Sequence, residues 1–249
     1  MKKSSTKKNT DKIAGSSDKR SDKRSADQKF YDKEKLLMEL IPITLAIIIF
    51  IVAFYTYPKL PNNVPIHWNA SGDIDNYGPK LIAVFLIPII YLIFIVLSFI
   101  LPAMDVFKEN IKSFYKYYFA IKVLFGIFFL TIYIATLLPN FGYNIDVAYI
   151  TIGCVIILFF ILGYILRHVK RNFFIGIRTP WTISSDAVWD KTHEVGGVLF
   201  MIVSVILLIG MAVLKMEYLF YLFITLIVLI TLYLIFYSYY LYRKEITGK

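Results

Sequence analysis

Six stretches of almost unbroken apolar side chains constrain this chain more than any other feature: Leu36–Tyr57, Leu81–Leu101, Phe119–Leu138, Val147–Leu166, Gly197–Leu214 and Tyr218–Leu241. Each is close to the roughly 20 residues a helix needs to cross the hydrocarbon core of a bilayer. Inside lipid there is no water to pair a backbone N–H or C=O, so a segment of this length satisfies itself as a helix. The expectation is an all-α polytopic membrane protein with six transmembrane helices. Pro42 falls in the first turns of helix one, where its missing donor costs little, whereas Pro88 falls well inside helix two and should kink it. Tyr55, Tyr57, Tyr117, Tyr118, Tyr239 and Tyr240 stand at the ends of runs, where an amphipathic ring suits the membrane interface.

The net charge of +10 has two readings, a nucleic-acid surface or a cytoplasmic membrane face, and position decides between them. Twelve Lys and Arg precede Glu39, in a tail that also carries six acids, and most of the others sit at the ends of apolar runs. That is the pattern of orientation charges, so no direct nucleic-acid role is expected. Assigned alternately to the two sides, the segments between runs carry 23 basic residues against three. The positive-inside rule then places the N-terminus, the C-terminus and the second and fourth loops in the cytoplasm. Lys122, just inside helix three, is expected to snorkel to that same side.

The chain divides into a charged cytoplasmic tail, residues 1–35, a pair of helices, 36–101, joined by a polar loop, 58–80, and a four-helix part, 102–249, with a polar loop at 167–196. The tail holds the near-repeat Ser17–Arg20 and Ser21–Arg24 and too little apolar surface to order itself. No short apolar region with a small-residue cleavage site follows it, so helix one is expected to remain as an uncleaved anchor.

Several functions are disfavoured by what the runs lack. Their middles contain no Asp, Glu, Arg or His, the groups that ion-coupled pumps and proton relays use at membrane depth. Their polar residues are Thr44, Ser98, Thr131, Thr136, Thr151, Ser204, Thr225 and Thr231, hydroxyls of the kind that bond back to their own helix or join helices. There is no His-Glu-x-x-His, no facing pair of Asp, no Gly-x-Ser-x-Gly and no Gly-rich phosphate loop. No enzyme and no cofactor is expected. The single Cys154 cannot make an internal disulfide.

The two polar loops carry the remaining information. Leu60–Lys80 is too rich in Pro, Gly, Asn and Asp to be helical. Val64–Trp68 reads as an extended strand and Asn69–Gly72 as a turn with Gly72 free to take positive φ, giving a compact cap on the outer leaflet. His67, Trp68, Asn69, Asp73, Asp75 and Tyr77 fall within eleven positions and could bind a peptide, a head group or a metal. The plainer reading is an internally bonded loop anchored by Trp68 and Tyr77. His67 with Asp73 or Asp75 is a thin ligand set, and no metal is expected.

In the second loop, Arg171–Gly197, Thr179-Pro180 breaks the chain and Ser184 or Ser185 offers an N-cap for a short amphipathic helix through about Glu194 on the inner surface. Helical spacing stacks Asp186, Asp190, His193 and Glu194 along one side. That stripe could hold a metal, but more often such a stripe is a solvated face, here with Arg178 or Lys191 as partners. Arg178 could also anchor to lipid phosphate.

At these two loops the chain resembles a known family. Leu60-Pro61-x-x-Val64-Pro65-x-His67-Trp68-Asn69-x-x-Gly72-x-x-Asp75-x-Tyr77-Gly78-x-Lys80 is similar to the outer-loop motif of a bacterial domain of unknown function found at the head of SdpI-type proteins. Asn172-x-x-x-Gly176-Ile177-Arg178-Thr179-Pro180-Trp181-Thr182, followed by Trp189-x-x-Thr192-His193, is similar to the inner-loop motif of the SdpI family. The resemblance covers roughly residues 37–241, and the charged tail departs from the short N-termini of the family. It implies an immunity protein of a bacterial cytoplasmic membrane that protects against a membrane-active toxic peptide. It also implies a second role, holding an ArsR-type repressor at the membrane.

Carried onto this chain, the resemblance makes His67, Trp68, Asn69, Gly72, Asp75, Tyr77 and Lys80 candidate toxin contacts. Asn172, Gly176, Arg178, Thr179, Pro180, Trp181, Trp189 and His193 become candidates for partner docking. Membrane lipid, the toxic peptide and the repressor are the expected partners. The alternative from another class is a small-molecule transporter or membrane enzyme, which would need a polar cavity reaching mid-membrane. The identity of the toxin and the oligomeric state are not legible in the residues.

Overall fold

The structure, a computed structural model, describes residues 34–248. The expectation for the charged tail lies, apart from its last two residues, outside the described residues. Two compact units divide the chain, Met1–Ile41 and Pro42–Lys249. In the first, the described residues are helical. The second holds every feature considered below.

All six expected spans are helices: α1 Glu34–Lys59, α2 Lys80–Met104, α4 Tyr115–Leu137, α5 Val147–Leu166, α7 Asp186–Val213 and α8 Met216–Thr247. Short helices lie between them, α3 Lys108–Ser113 and α6 Pro180–Ser184. α2 runs on through both Pro88 and Pro102. Large apolar side chains face outward along the spans, Ile157 at 59%, Leu229 at 58% and Phe236 at 67% exposure. A soluble fold would bury such residues; a lipid-facing surface displays them.

Three apolar clusters hold the second unit together. One joins Ala46, Ile49 and Ala53 of α1 to Val84, Tyr91 and Ile95 of α2 and to Tyr133 of α4. A second joins Ile152 and Ile156 of α5 to Val203 and Leu207 of α7 and to Leu219, Ile230 and Leu234 of α8. The third lies at the far end of α5, where Ile111, Phe114, Tyr118, Ile121, Ile165, Val169 and Trp189 meet. Apolar side chains gain little by leaving lipid for protein, so close packing is what joins membrane helices, and small residues permit it. α5 and α7 show this most directly. A Cβ at Gly163 would lie 2.6 Å from the Gly197 carbonyl oxygen, and a Cβ at Gly197 would collide with the Gly163 carbonyl.

Five of the hydroxyls inside the spans bond back to their own helix, as expected. Ser98, Thr131, Thr136, Thr151 and Ser204 each donate to a carbonyl three or four residues earlier, at 2.7–2.9 Å. Lys122 does not behave as expected. It is 1% exposed, with Nζ 4.9 Å from the Tyr118 ring centre and 5.0 Å from that of Phe99. The expected snorkelling gives way to burial because aromatic faces around the ammonium replace part of its lost hydration.

Candidate functional site

The first polar loop folds as a hairpin. β1 (Asn63–Trp68) pairs antiparallel with β2 (Ile74–Pro79), so the return arm, which the sequence did not mark as a strand, is one. Asn69 shapes the turn: its Oδ1 accepts from Ser71 N–H at 2.9 Å and Asp73 N–H at 3.0 Å, and Gly72 takes φ +89°. A Cβ on Gly72 would lie 3.2 Å from Ala148 Cβ of α5 and 3.9 Å from Met216 of α8, so the turn rests on the N-terminal ends of those helices. His67 Nδ1 stands 2.6 Å from Asp75 Oδ1, a cross-strand pair open to solvent. Lys80 is drawn back into the fold, donating to the Leu60 carbonyl at 3.1 Å with its Nζ 4.9 Å from the Tyr57 ring centre. Tyr77 is exposed, and Trp68 is half-buried.

Beneath the hairpin lies an apolar cavity of about 330 Å³. Ile66–Ala70 form its roof, so His67, Trp68 and Asn69 come together there, while Gly72, Asp75, Tyr77 and Lys80 do not line it. Its walls are Ile132 and Thr136 of α4, Val147, Ala148, Thr151, Ile152 and Val155 of α5, and Met216, Phe220 and Phe223 of α8. Sequence reasoning missed these wall residues, because an apolar residue facing a cavity and one facing lipid look alike in a hydropathy pattern.

The second polar loop is a tightly bonded knot at the other end of α5. Asn172, fully buried, uses its whole amide: Nδ2 donates to the carbonyls of Lys170 and Ile175, and Oδ1 accepts from the N–H groups of Phe174 and Ile175, all at 2.7–2.9 Å. Asp105, from the turn after α2, accepts from Phe107 N–H at 2.7 Å and Phe173 N–H at 2.9 Å and so ties two loops together. Nothing in the sequence marks Asp105 except its place after a span, where an acid reads as a solvated helix end. Thr179 and Thr182 form a capping box that opens α6, and Thr179 also bonds Ser238 of α8 at 3.0 Å.

α7 departs from expectation. Ser185 does cap it, accepting from Val188 N–H at 3.3 Å, but the helix continues through Gly196 and Gly197 to Val213. The short helix expected through about Glu194 is instead the first turns of this span, and the irregular loop ends at Ser185. His193 lines a polar pocket with Asp190 and Glu194 but lies at the buried edge of the acidic stripe. It is 1% exposed and stacked on the buried Trp189 at 4.0 Å, while Asp186, Asp190 and Glu194 are exposed. Asp186 pairs with Arg171 at 2.8 Å and Asp190 with Lys170 at 3.3 Å, in place of Arg178 or Lys191.

His193 Nε2 accepts the Ile177 N–H at 2.9 Å, so the ring proton sits on Nδ1 and is donated to the Trp189 carbonyl, also at 2.9 Å. Both nitrogens are thus taken, and neither can ligate a metal. Trp189 Nε1 donates to the Val169 carbonyl at 2.8 Å. Gly176, at φ +116°, passes so close to His193 that a Cβ would overlap its ring.

The residues expected to dock a partner therefore divide. Asn172, Thr179, Trp189 and His193 are buried in the knot, and half-buried Gly176 is packed against His193. Arg178 and Pro180 are exposed; Arg178 donates to the Phe173 carbonyl at 2.6 Å. Trp181 is half-buried against Tyr239, 5.0 Å away.

Comparison with known proteins accords with this geometry. Over 151 residues, 60% of this chain and 70% of the relative, the chain is 26% identical to the Immunity protein SdpI of Bacillus subtilis (strain 168). No solved structure matches it. Residues 44–92, which contain the hairpin, match a domain of unknown function (DUF1648), and residues 168–238, which contain the knot, match the SdpI/YfhL protein family. The two matched segments stand in the order that the two loop motifs imply.

Proposed function

We propose that this is an SdpI-like immunity protein of a bacterial cytoplasmic membrane, conferring resistance to a membrane-active toxic peptide. The observation that supports it most is a coincidence of boundaries. Each family segment encloses one of the two folded polar loops, and those loops sit at opposite ends of α5, whose 20 residues span about 30 Å. The charge distribution supports placing the hairpin outside the cell, where a secreted peptide arrives, and the knot inside. On the hairpin, Trp68 and Tyr77 offer contact area at low entropy cost, and the His67–Asp75 pair offers a polar handle. On the knot, Arg178, Pro180 and Trp181 remain as the surface for a cytoplasmic repressor.

A killing assay tests the reading. Cells made to express the protein are expected to survive a peptide dose that kills the parent strain. Trp68→Ala and Asp75→Ala at equal expression are expected to lower the protective dose at least tenfold. Full protection by both variants would remove these residues from the contact, and no protection by the parent chain would end the immunity reading.

A further inference from the structure

The cavity under the hairpin is apolar along its walls and polar only at its roof, and we propose that an acyl chain of a membrane lipid occupies it from the hairpin-side leaflet. Its wall on α5 runs from Val147 to Val155, eight residues or about 12 Å along the helix axis.

The chemistry of the lining agrees. Thr136 and Thr151 give their hydroxyl protons to helix carbonyls at 2.9 and 2.8 Å, which leaves the walls without a hydroxyl proton to offer a guest. The polar groups are gathered in the roof, at His67 and Asn69, next to the level where a lipid ester and head group lie. Phe220, on α8, is 41% exposed and so meets both the cavity and the surrounding bilayer. An apolar void of this size in a membrane forfeits dispersion contacts on every wall, and the molecules at hand to fill it are lipid chains. This inference does not rest on toxin binding: the hairpin roofs the chain whatever else it meets.

The test reconstitutes the full chain in phosphatidylglycerol–phosphatidylcholine vesicles containing a phospholipid with a photoactivatable diazirine on its acyl chain. Labelled residues are then mapped by mass spectrometry. Thr151, Val155 and Phe223 are expected to label at least as strongly as the outward-facing Ile157 and Leu229. Val155→Trp, which fills the cavity, is expected to cut label at Thr151 and Phe223 at least fivefold and leave Ile157 and Leu229 unchanged. Thr151→Leu, a smaller change, reads the same way at Phe223 should the first variant fail to fold. Absence of label at the cavity residues of the parent chain overturns the proposal, as does label that the filled variants leave unaltered. Cavity labelling by a photoleucine-bearing transmembrane peptide in place of the lipid also overturns it.

Discussion

At the scale of single residues, the knot is organised around Gly176 and His193. Gly176 is held at φ +116°, a conformation costly for any residue with a Cβ, and its missing side chain leaves the room in which His193 accepts the Ile177 N–H. Gly176→Ala therefore faces two penalties, backbone strain and overlap with the imidazole. A loss of about 2–4 kcal/mol in thermal or denaturant unfolding is expected, from strain of about 1–3 kcal/mol plus overpacking of about 1–3 kcal/mol partly relieved by relaxation. Combining it with His193→Ala should recover the overlap but not the strain, so the double variant is expected to be less destabilised than the sum of the singles. Strict additivity would show that the two residues do not share the space assigned to them. Neither relation is visible in the sequence, where His193 reads as one member of an acidic stripe, because periodicity gives the angle of a side chain around a helix but not what stands opposite it.

At the scale of elements, the helices were readable because the bilayer leaves a long apolar segment no other conformation. The hairpin was half readable: Val64–Trp68 carries the β-branched and aromatic side chains of a strand, whereas in Ile74–Pro79 the strand formers Ile74 and Tyr77 are outnumbered by Asp75, Asn76, Gly78 and Pro79, and the arm is held by its pairing with β1. The start of α7 was readable at its Ser185 cap, but its continuity with the span was not. Val188, Trp189, Thr192 and His193 form its buried face and Asp186, Asp190 and Glu194 its exposed one, so average hydropathy hides a helix whose inner turns continue the span. Its Gly196-Gly197 pair looks like a break and is instead a contact surface. Gly163→Ala and Gly197→Ala are each expected to lower the melting temperature in detergent markedly, since the obstructing atom is backbone and cannot rotate away. Gly153→Ala, where a Cβ meets only Met211 at 3.8 Å, should stay near the parent value. Equal effects at all three positions would refute backbone apposition as the basis of α5–α7 packing.

For the whole molecule, the arrangement places two differently built polar structures at the two ends of one helix, and the distribution of Lys and Arg assigns each an expected compartment. With Cys154 replaced by Ala, single cysteines at Ser71 on the hairpin and Ser184 beside the knot should react with a membrane-impermeant maleimide from opposite sides, Ser71→Cys in intact cells and Ser184→Cys only after lysis. Reaction of both in intact cells would contradict the orientation and the immunity reading with it. The contact between Gly163 and Gly197 adds a geometric consequence. Where two backbones touch without intervening side chains, the approach of the two helices is limited at that point by backbone alone. That point divides α5 unequally, with 16 residues, about 24 Å, toward Val147 and three, about 4.5 Å, toward Leu166. The tightest approach of α5 to α7 therefore sits beside the knot, whereas the longer stretch toward the hairpin is packed through side chains such as Ile152 and Ile156.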